Sequence, residues 1–204
     1  MKKLIFIFVF FLLGNIIYSQ PREIPPEILG WSRDGKVGII EKRFPTGPFT
    51  DINRAFVLDT ITNTVVWERT ITDFEYMNMN DFRVDQEAYL NGLNSFFNDF
   101  RRICIEQFAI EISETPAVRN AASRIYNISI ETIRESEWAI IDSYSVIAER
   151  RGNRRIIYTK NNPYCLIASI SRYIISPSGK SALIVIVELM SPHSYNHVFI
   201  GLAM

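Results

Sequence analysis

The sequence predicts an α+β fold, an antiparallel β-sheet carrying one long amphipathic helix, with blade-like hairpins near both ends. Three observations lead there. Short runs of β-branched and aromatic residues, bounded by turn residues, fill 20–70 and 123–204. Between them lies one stretch, opening at Asp85, whose apolar residues recur at helical spacing. The pattern Ser-x-x-Gly-Lys occurs at Ser32–Lys36 and again at Ser176–Lys180, each time between apolar runs.

The N-terminus comes first. Lys2 and Lys3 precede an unbroken apolar run from Leu4 to Leu13; Gly14 and Asn15 break it, and Ile17-Tyr18-Ser19 puts a small residue before a cut. Basic, apolar and small-residue regions in that order predict a signal peptide over 1–19, cleaved between Ser19 and Gln20, and export to the periplasm or beyond the cell. About ten apolar residues are too few for the ~20 that span a bilayer as a helix. With no Cys near the cut, a lipid-anchored precursor is not expected, and no later segment is apolar for long enough to span a membrane. Residues 20–204 then form one domain, long enough to bury a core.

Pro21, Pro25 and Pro26 make an extended lead-in. Gly30 to Lys36 reads as a strand end running into an Asp-Gly turn, Val37–Glu41 as a strand, and Pro45, Gly47 and Pro48 as a loop. Ala55–Asp59 and Val65–Arg69 are strands around a turn with Asn63, which completes an N-terminal β meander over 20–70. In the helical segment, 81–115, Tyr89, Leu90, Leu93, Phe96, Phe97, Phe100, Ile103, Cys104 and Phe108 form the apolar stripe. Asn91, Asn94, Asn98, Arg101, Arg102 and Glu106 fall opposite; Asp85 is a suitable N-cap, with Glu87 in the first turn. Pro116 closes the segment. Strands are expected at Arg124–Ile133, Trp138–Glu149, Arg154–Lys160, Leu166–Ile175, Ala182–Leu189 and His197–Leu202, with a tight turn at Arg151-Gly152-Asn153.

The two Ser-x-x-Gly-Lys turns belong to a longer echo. Each follows a strand and leads into a strand, a loop and a third strand, Phe56-Val57-Leu58 in the first unit and Val198-Phe199-Ile200 in the second. The segment Gly30-Trp31-Ser32-Arg33-Asp34-Gly35-Lys36-Val37, followed by Ala55-Phe56-Val57-Leu58-Asp59-Thr60, resembles the W-S-P-D-G-K blade hairpin of TolB-type β-propellers. It also resembles uncharacterised exported bacterial proteins that open with this hairpin. Arg33 stands where the family has Pro. The likeness covers about 40 residues near the N-terminus and, more weakly, the last 30 or so. The long central helix departs from a propeller, and 20–204 is short for a ring of four-stranded blades. The resemblance therefore implies a hairpin type and an envelope setting, and by analogy favours binding over catalysis.

Charge narrows the function. The whole chain carries 22 basic and 22 acidic residues; loss of Lys2 and Lys3 leaves it slightly acidic, without the basic balance of a nucleic-acid binder. The charge is nonetheless patterned. From Arg150 to Val187 there are seven basic residues and no Asp or Glu, whereas Asp73 to Glu114 holds nine acidic residues against Arg83, Arg101 and Arg102. Arg150, Arg151, Arg154 and Arg155 flank one tight turn, a cluster suited to an anionic polymer, a lipid headgroup or an acidic envelope protein. The alternative is a solvated hairpin whose arginines pair with Glu149 or with the acidic helix.

Other chemistry has thinner support. His193 and His197, four apart, share a face if extended, but a metal site needs a third ligand and Glu188 is the nearest carboxylate in sequence. There is no Gly-x-Ser-x-Gly elbow, no Walker-type loop and no dinucleotide fingerprint. Asp81 with Asp85, or Glu111 with Glu114, reads better as a solvated surface than as an acid–base pair. No cofactor is expected. Cys104 and Cys165 are either a disulfide, which export permits, or two buried thiols. The reading is an exported envelope protein with a binding or structural role. The alternatives are a hydrolase of an envelope polymer, its site in the sheet–helix cleft, and a periplasmic metal-binding protein using His193 and His197.

Overall fold

A computed structural model of the chain describes residues 24–43, 51–113, 126–136, 139–191 and 194–204. The predicted signal peptide and its cut, the Pro45–Pro48 loop, Pro116, Arg124, Trp138 and His193 lie outside these residues. Strands β1 (Glu27–Trp31), β2 (Lys36–Arg43), β3 (Ile52–Asp59) and β4 (Thr64–Thr72) run as an antiparallel meander. A 3₁₀ turn at Asp73–Tyr76 and a small hairpin of β5 (Met77–Asn78) and β6 (Arg83–Val84) lead to helix α1 (Gln86–Phe108). Asp85 caps that helix by accepting from the Ala88 N–H, as its sequence position predicts, and Ala109 ends it in the left-handed region. β7 (Glu111–Ile112) returns to pair with β1, giving a five-stranded sheet in the order β4-β3-β2-β1-β7.

The rest of the chain makes two three-stranded antiparallel sheets. One holds β8 (Asn127–Ile133), β9 (Ser143–Arg150) and β10 (Asn153–Asn161), with β9 central; the other holds β11 (Ile167–Ile175), β12 (Ser181–Ser191) and β13 (Ser194–Ala203), with β12 central. The fold is α+β as predicted, and the strands expected after residue 123 are all present, shifted at their ends by a few residues.

The layers follow from the period-2 alternation of side chains. In β2, Val37 and Ile39 face one way and Ile40 the other. The Ile40 side, with Leu29, Ala55, Val57 and Ile71, receives Phe96, Phe100 and Cys104 of α1. The Val37 side, with Ile28, Trp31, Phe56 and Leu58, packs on Ile174, Leu183 and Val185 of the β11–β13 sheet. The reverse face of that sheet (Ala182, Ile184, Ile186, Ile200, Leu202) buries against Tyr144, Val146 and Ala148 of β9. The order is therefore helix, five-stranded sheet, middle sheet (β11–β13), outer sheet (β8–β10). The layers are open, and among the described residues no barrel or propeller ring closes. β12 is covered on both sides, which explains its near-continuous apolar run Ala182–Val187.

The sequence echo is a structural one. In the first turn the Ser32 N–H donates to the Lys36 carbonyl and the Gly35 N–H to the Ser32 carbonyl; in the second, the Ser176 N–H donates to the Ser181 carbonyl and the Gly179 N–H to the Ser176 carbonyl. Gly35 and Gly179 both take positive φ, +92° and +70°, which a side chain would strain. The two units, β1–β2–β3 and β11–β12–β13, pack directly against each other.

The cysteines resolve into the second alternative. Cys104 lies between α1 and the five-stranded sheet and Cys165 lies between the middle and outer sheets, both as buried free thiols. Two layers separate them, so no disulfide joins them.

Candidate anion-contact site

The hairpin β9–β10 turns on Arg151 (φ +52°) and Gly152 (φ +81°), the two positive-φ residues of the tightest hairpin turn. Register then fixes where its arginines go. Arg155 lies opposite Ala148, a core residue, so Arg155 and Arg150 are on the face turned to the middle sheet; Arg154 lies opposite Glu149 on the outer face. Tyr126, just before β8, is the floor of this corner. Its ring has the Arg150 guanidinium 5.7 Å and the Arg155 guanidinium 5.4 Å from its centroid. With Arg151, Asn153 and Arg154 these side chains line an open pocket of ≈ 290 Å³.

All four arginines are exposed. Arg154 pairs with Glu131 of β8, and Arg155 donates to the Ala203 carbonyl at 3.2 Å. The acidic helix is not their partner, because it covers the opposite end of the stack. There α1 uses its own arginines: Arg102 bonds Asp99 at 3.1 Å and Arg101 reaches Glu27 at 3.4 Å. The pocket thus combines forked cationic donors, a neutral amide and an aromatic face. Such a set is suited to meeting an anion rather than to moving a proton.

The histidine pair separates. His197 sits in β13, as the expected strand from His197 places it, opposite Val187, with its side chain buried between the middle and five-stranded sheets. Its Nδ1 lies 3.2 Å from Glu41 Oε1, and both side chains are fully buried. Arg43 bonds the other oxygen, Glu41 Oε2, at 2.9 Å, and Arg54 lies 3.6 Å from Oε2. Burial works to raise the Glu41 carboxyl, but the bonds from His197 and Arg43 outweigh it and hold it below its ordinary 4.5. Glu188, the neighbour expected from sequence, points to the other face. Among the described residues no three His, Cys, Asp or Glu side chains converge as a metal site.

Glu188 anchors a second buried cluster, which the sequence reading missed. It accepts from Tyr144 Oη (2.7 Å), Lys160 Nζ (2.8 Å to each oxygen) and Asn196 Nδ2 (3.0 Å) between the middle and outer sheets. Burial and the nearby Glu188 charge push the Tyr144 hydroxyl and the Cys165 thiol up. The signal for both clusters is alternation. Glu41 shares parity with Val37 and Ile39, and Glu188 with Ile184 and Ile186, so each carboxylate is placed on a core face and must find a donor. Tyr126 leaves no comparable signal.

The sheet–helix cleft named for a hydrolase is filled. Phe96, Phe100 and Cys104 occupy it, and Phe100 stacks on Trp67 with centroids 5.1 Å apart. No described helix is long and apolar enough to cross a membrane. Compared with known proteins, the chain matches no protein family, no curated protein and no solved structure.

Proposed function

We propose that this chain is an exported cell-envelope protein that binds an anionic partner, an acidic envelope protein or an anionic polymer, through the corner built from Tyr126, Arg150, Arg151, Arg154 and Arg155. The observation that carries the reading is one open pocket at a single hairpin, lined by four exposed arginines, two of which, Arg150 and Arg155, stand over the Tyr126 ring. On a chain without net positive charge, attraction for anions has to be local. Arginine forks match the paired oxygens of carboxylate and phosphate, and contacts of this kind weaken as salt screens them over about 8 Å. The Lys2-Lys3 start, the apolar run to Leu13 and the small residue Ser19 support export, and the likeness of the Ser32–Lys36 turn to a blade hairpin supports binding over catalysis.

Two measurements test it. Intact mass of protein recovered from an envelope fraction is expected to begin at Gln20; retention of Met1–Ser19 would overturn export. Titration with inorganic polyphosphate and with a glutamate-rich peptide, at low and high salt, reads the contact. Replacing the four arginines by Ser is expected to abolish salt-sensitive binding while each exposed change costs within about 0.5 kcal/mol of stability. Unchanged binding by that variant would overturn the site.

A further inference from the structure

The three sheets are stacked strand over strand. Arg172 of β11 donates to the Pro26 carbonyl beside β1, and Phe199 of β13 meets Phe56 of β3. In the next layer β8 lies against β11, Tyr144 of β9 bonds Glu188 of β12, and Arg155 of β10 reaches Ala203 of β13. This gives three columns: β1, β11, β8; β2, β12, β9; and β3, β13, β10. Among the described residues only the five-stranded sheet goes further on the third side, where β4 covers β3, and the middle and outer sheets stop at β13 and β10.

These two edges are treated differently by the chain. Along β13 the Gly201 N–H donates to the Asn63 side chain (2.7 Å), and the Ala203 carbonyl accepts from Arg155. β10, over Asn153–Asn161, is the outermost strand of its sheet among the described residues and is mostly exposed; Ile156 is 64% accessible. It is also the strand that carries Arg154 and Arg155 and starts at the cationic turn. An unpaired edge offers backbone donors and acceptors to any extended segment, and side-chain charge selects which segment is accepted.

We infer that β10 receives an added strand from a partner protein, an extended segment bearing Asp or Glu, whose carboxylates meet the arginines of β10 and its turn, Arg151, Arg154 and Arg155. The inference rests on the anion-contact reading and narrows it: the occupant is a polypeptide held by its backbone as well as its charge. The added strand stands to β10 as β4 stands to β3.

The test uses residues 20–204 and a nine-residue peptide of alternating Glu and Val or Thr. A second peptide has the same side chains with alternate backbone nitrogens methylated, and inorganic polyphosphate is a third probe. The unmodified peptide is expected to bind in a salt-sensitive way and to slow hydrogen exchange of β10 amides. The methylated peptide, equal in charge, is expected to bind at least about tenfold more weakly because its added-strand hydrogen bonds are gone. Equal binding of the two peptides, or slowed exchange anywhere but β10, would overturn strand addition while leaving the anion contact standing. Binding of polyphosphate alone would make the occupant a polymer and overturn the inference in the same way. Binding of none of the three would remove both readings.

Discussion

The rings of Phe56 and Phe199 meet edge to face, with centroids 5.0 Å apart and planes inclined at 69°. Phe56 is on the third strand of one Ser-x-x-Gly-Lys unit and Phe199 on the third strand of the other. Residues that mark the echo in sequence are thus among those through which the two units touch. The Arg54 guanidinium lies over the Phe56 ring, 4.3 Å from its centroid. Phe56→Ala is expected to lower the unfolding free energy by about 3–5 kcal/mol, and Phe199→Ala by less, since Phe199 is partly exposed. A double-mutant cycle read by urea denaturation should return about 0.5–1.5 kcal/mol of coupling. Strict additivity would mean that the two units do not meet here.

Phe100 is fully buried beneath α1, whereas Phe97 is only partly so. Phe100→Ala should cost about 3–5 kcal/mol and Phe97→Ala clearly less. Equal melting curves for wild type and the Phe100 variant would contradict the placement of α1 on the sheet.

Glu41 sets an acid limit. Its folded carboxyl titrates below its ordinary value of 4.5, so it contributes stability that is complete above that pH and is lost as pH falls through the lower, folded value. Glu41→Gln should flatten this part of the stability–pH curve. Glu41→Ala, which removes the buried carboxylate bonded by His197 and by the partly exposed Arg43, should cost about 1–3 kcal/mol at neutral pH. A Gln variant with an unchanged acid limb would show that other carboxyls set it.

Both thiols should be inert in the folded protein. Burial pushes Cys104 up to about 12 and raises Cys165 as well, with the Glu188 charge adding to the latter. Thiolate is the reactive form, so a disulfide-exchange reagent is expected to modify neither in native buffer and both after denaturation. Fast labelling of either thiol before unfolding would contradict its place in the core.

Two glycines give opposite outcomes. At Gly201 a Cβ would be driven into the backbone of Thr60, which cannot give way as a side-chain tip can; Gly201→Ala should cost at least about 1–3 kcal/mol. At Gly152 nothing lies within 4 Å, so Gly152→Ala meets only the strain of its positive φ, about 1–2 kcal/mol. Thermal melts of the two variants should rank them in that order.

The helix was legible because Tyr89, Phe96, Phe100 and Cys104 keep one face for its whole length and Asp85 supplies the cap. The strands after residue 123 were legible from their apolar runs and turn residues. Stacking order was not, since alternation says that Ile184 and Leu183 face opposite ways but not which sheet each meets. Of the candidate site, the arginines were visible as a charge run around a turn; Tyr126 and the open edge of β10 were not, because both depend on which strands become neighbours. The burial of His197 against Glu41 was not legible, because the two lie 156 positions apart.

The middle sheet comes after both of its neighbours in the sequence. The five-stranded sheet and the outer sheet each turn a face toward β11–β13, and neither face has anything to close on until Ile167–Ala203 has been made. Synthesis from the N-terminus therefore yields a helix-backed sheet and a bare three-stranded sheet, each with one core face still wet, and the closing step is the insertion of one slab that dries both at once. Such a nascent chain has no reason to lock early, and this makes the contacts of β12 the ones on which cooperativity of the whole stack depends.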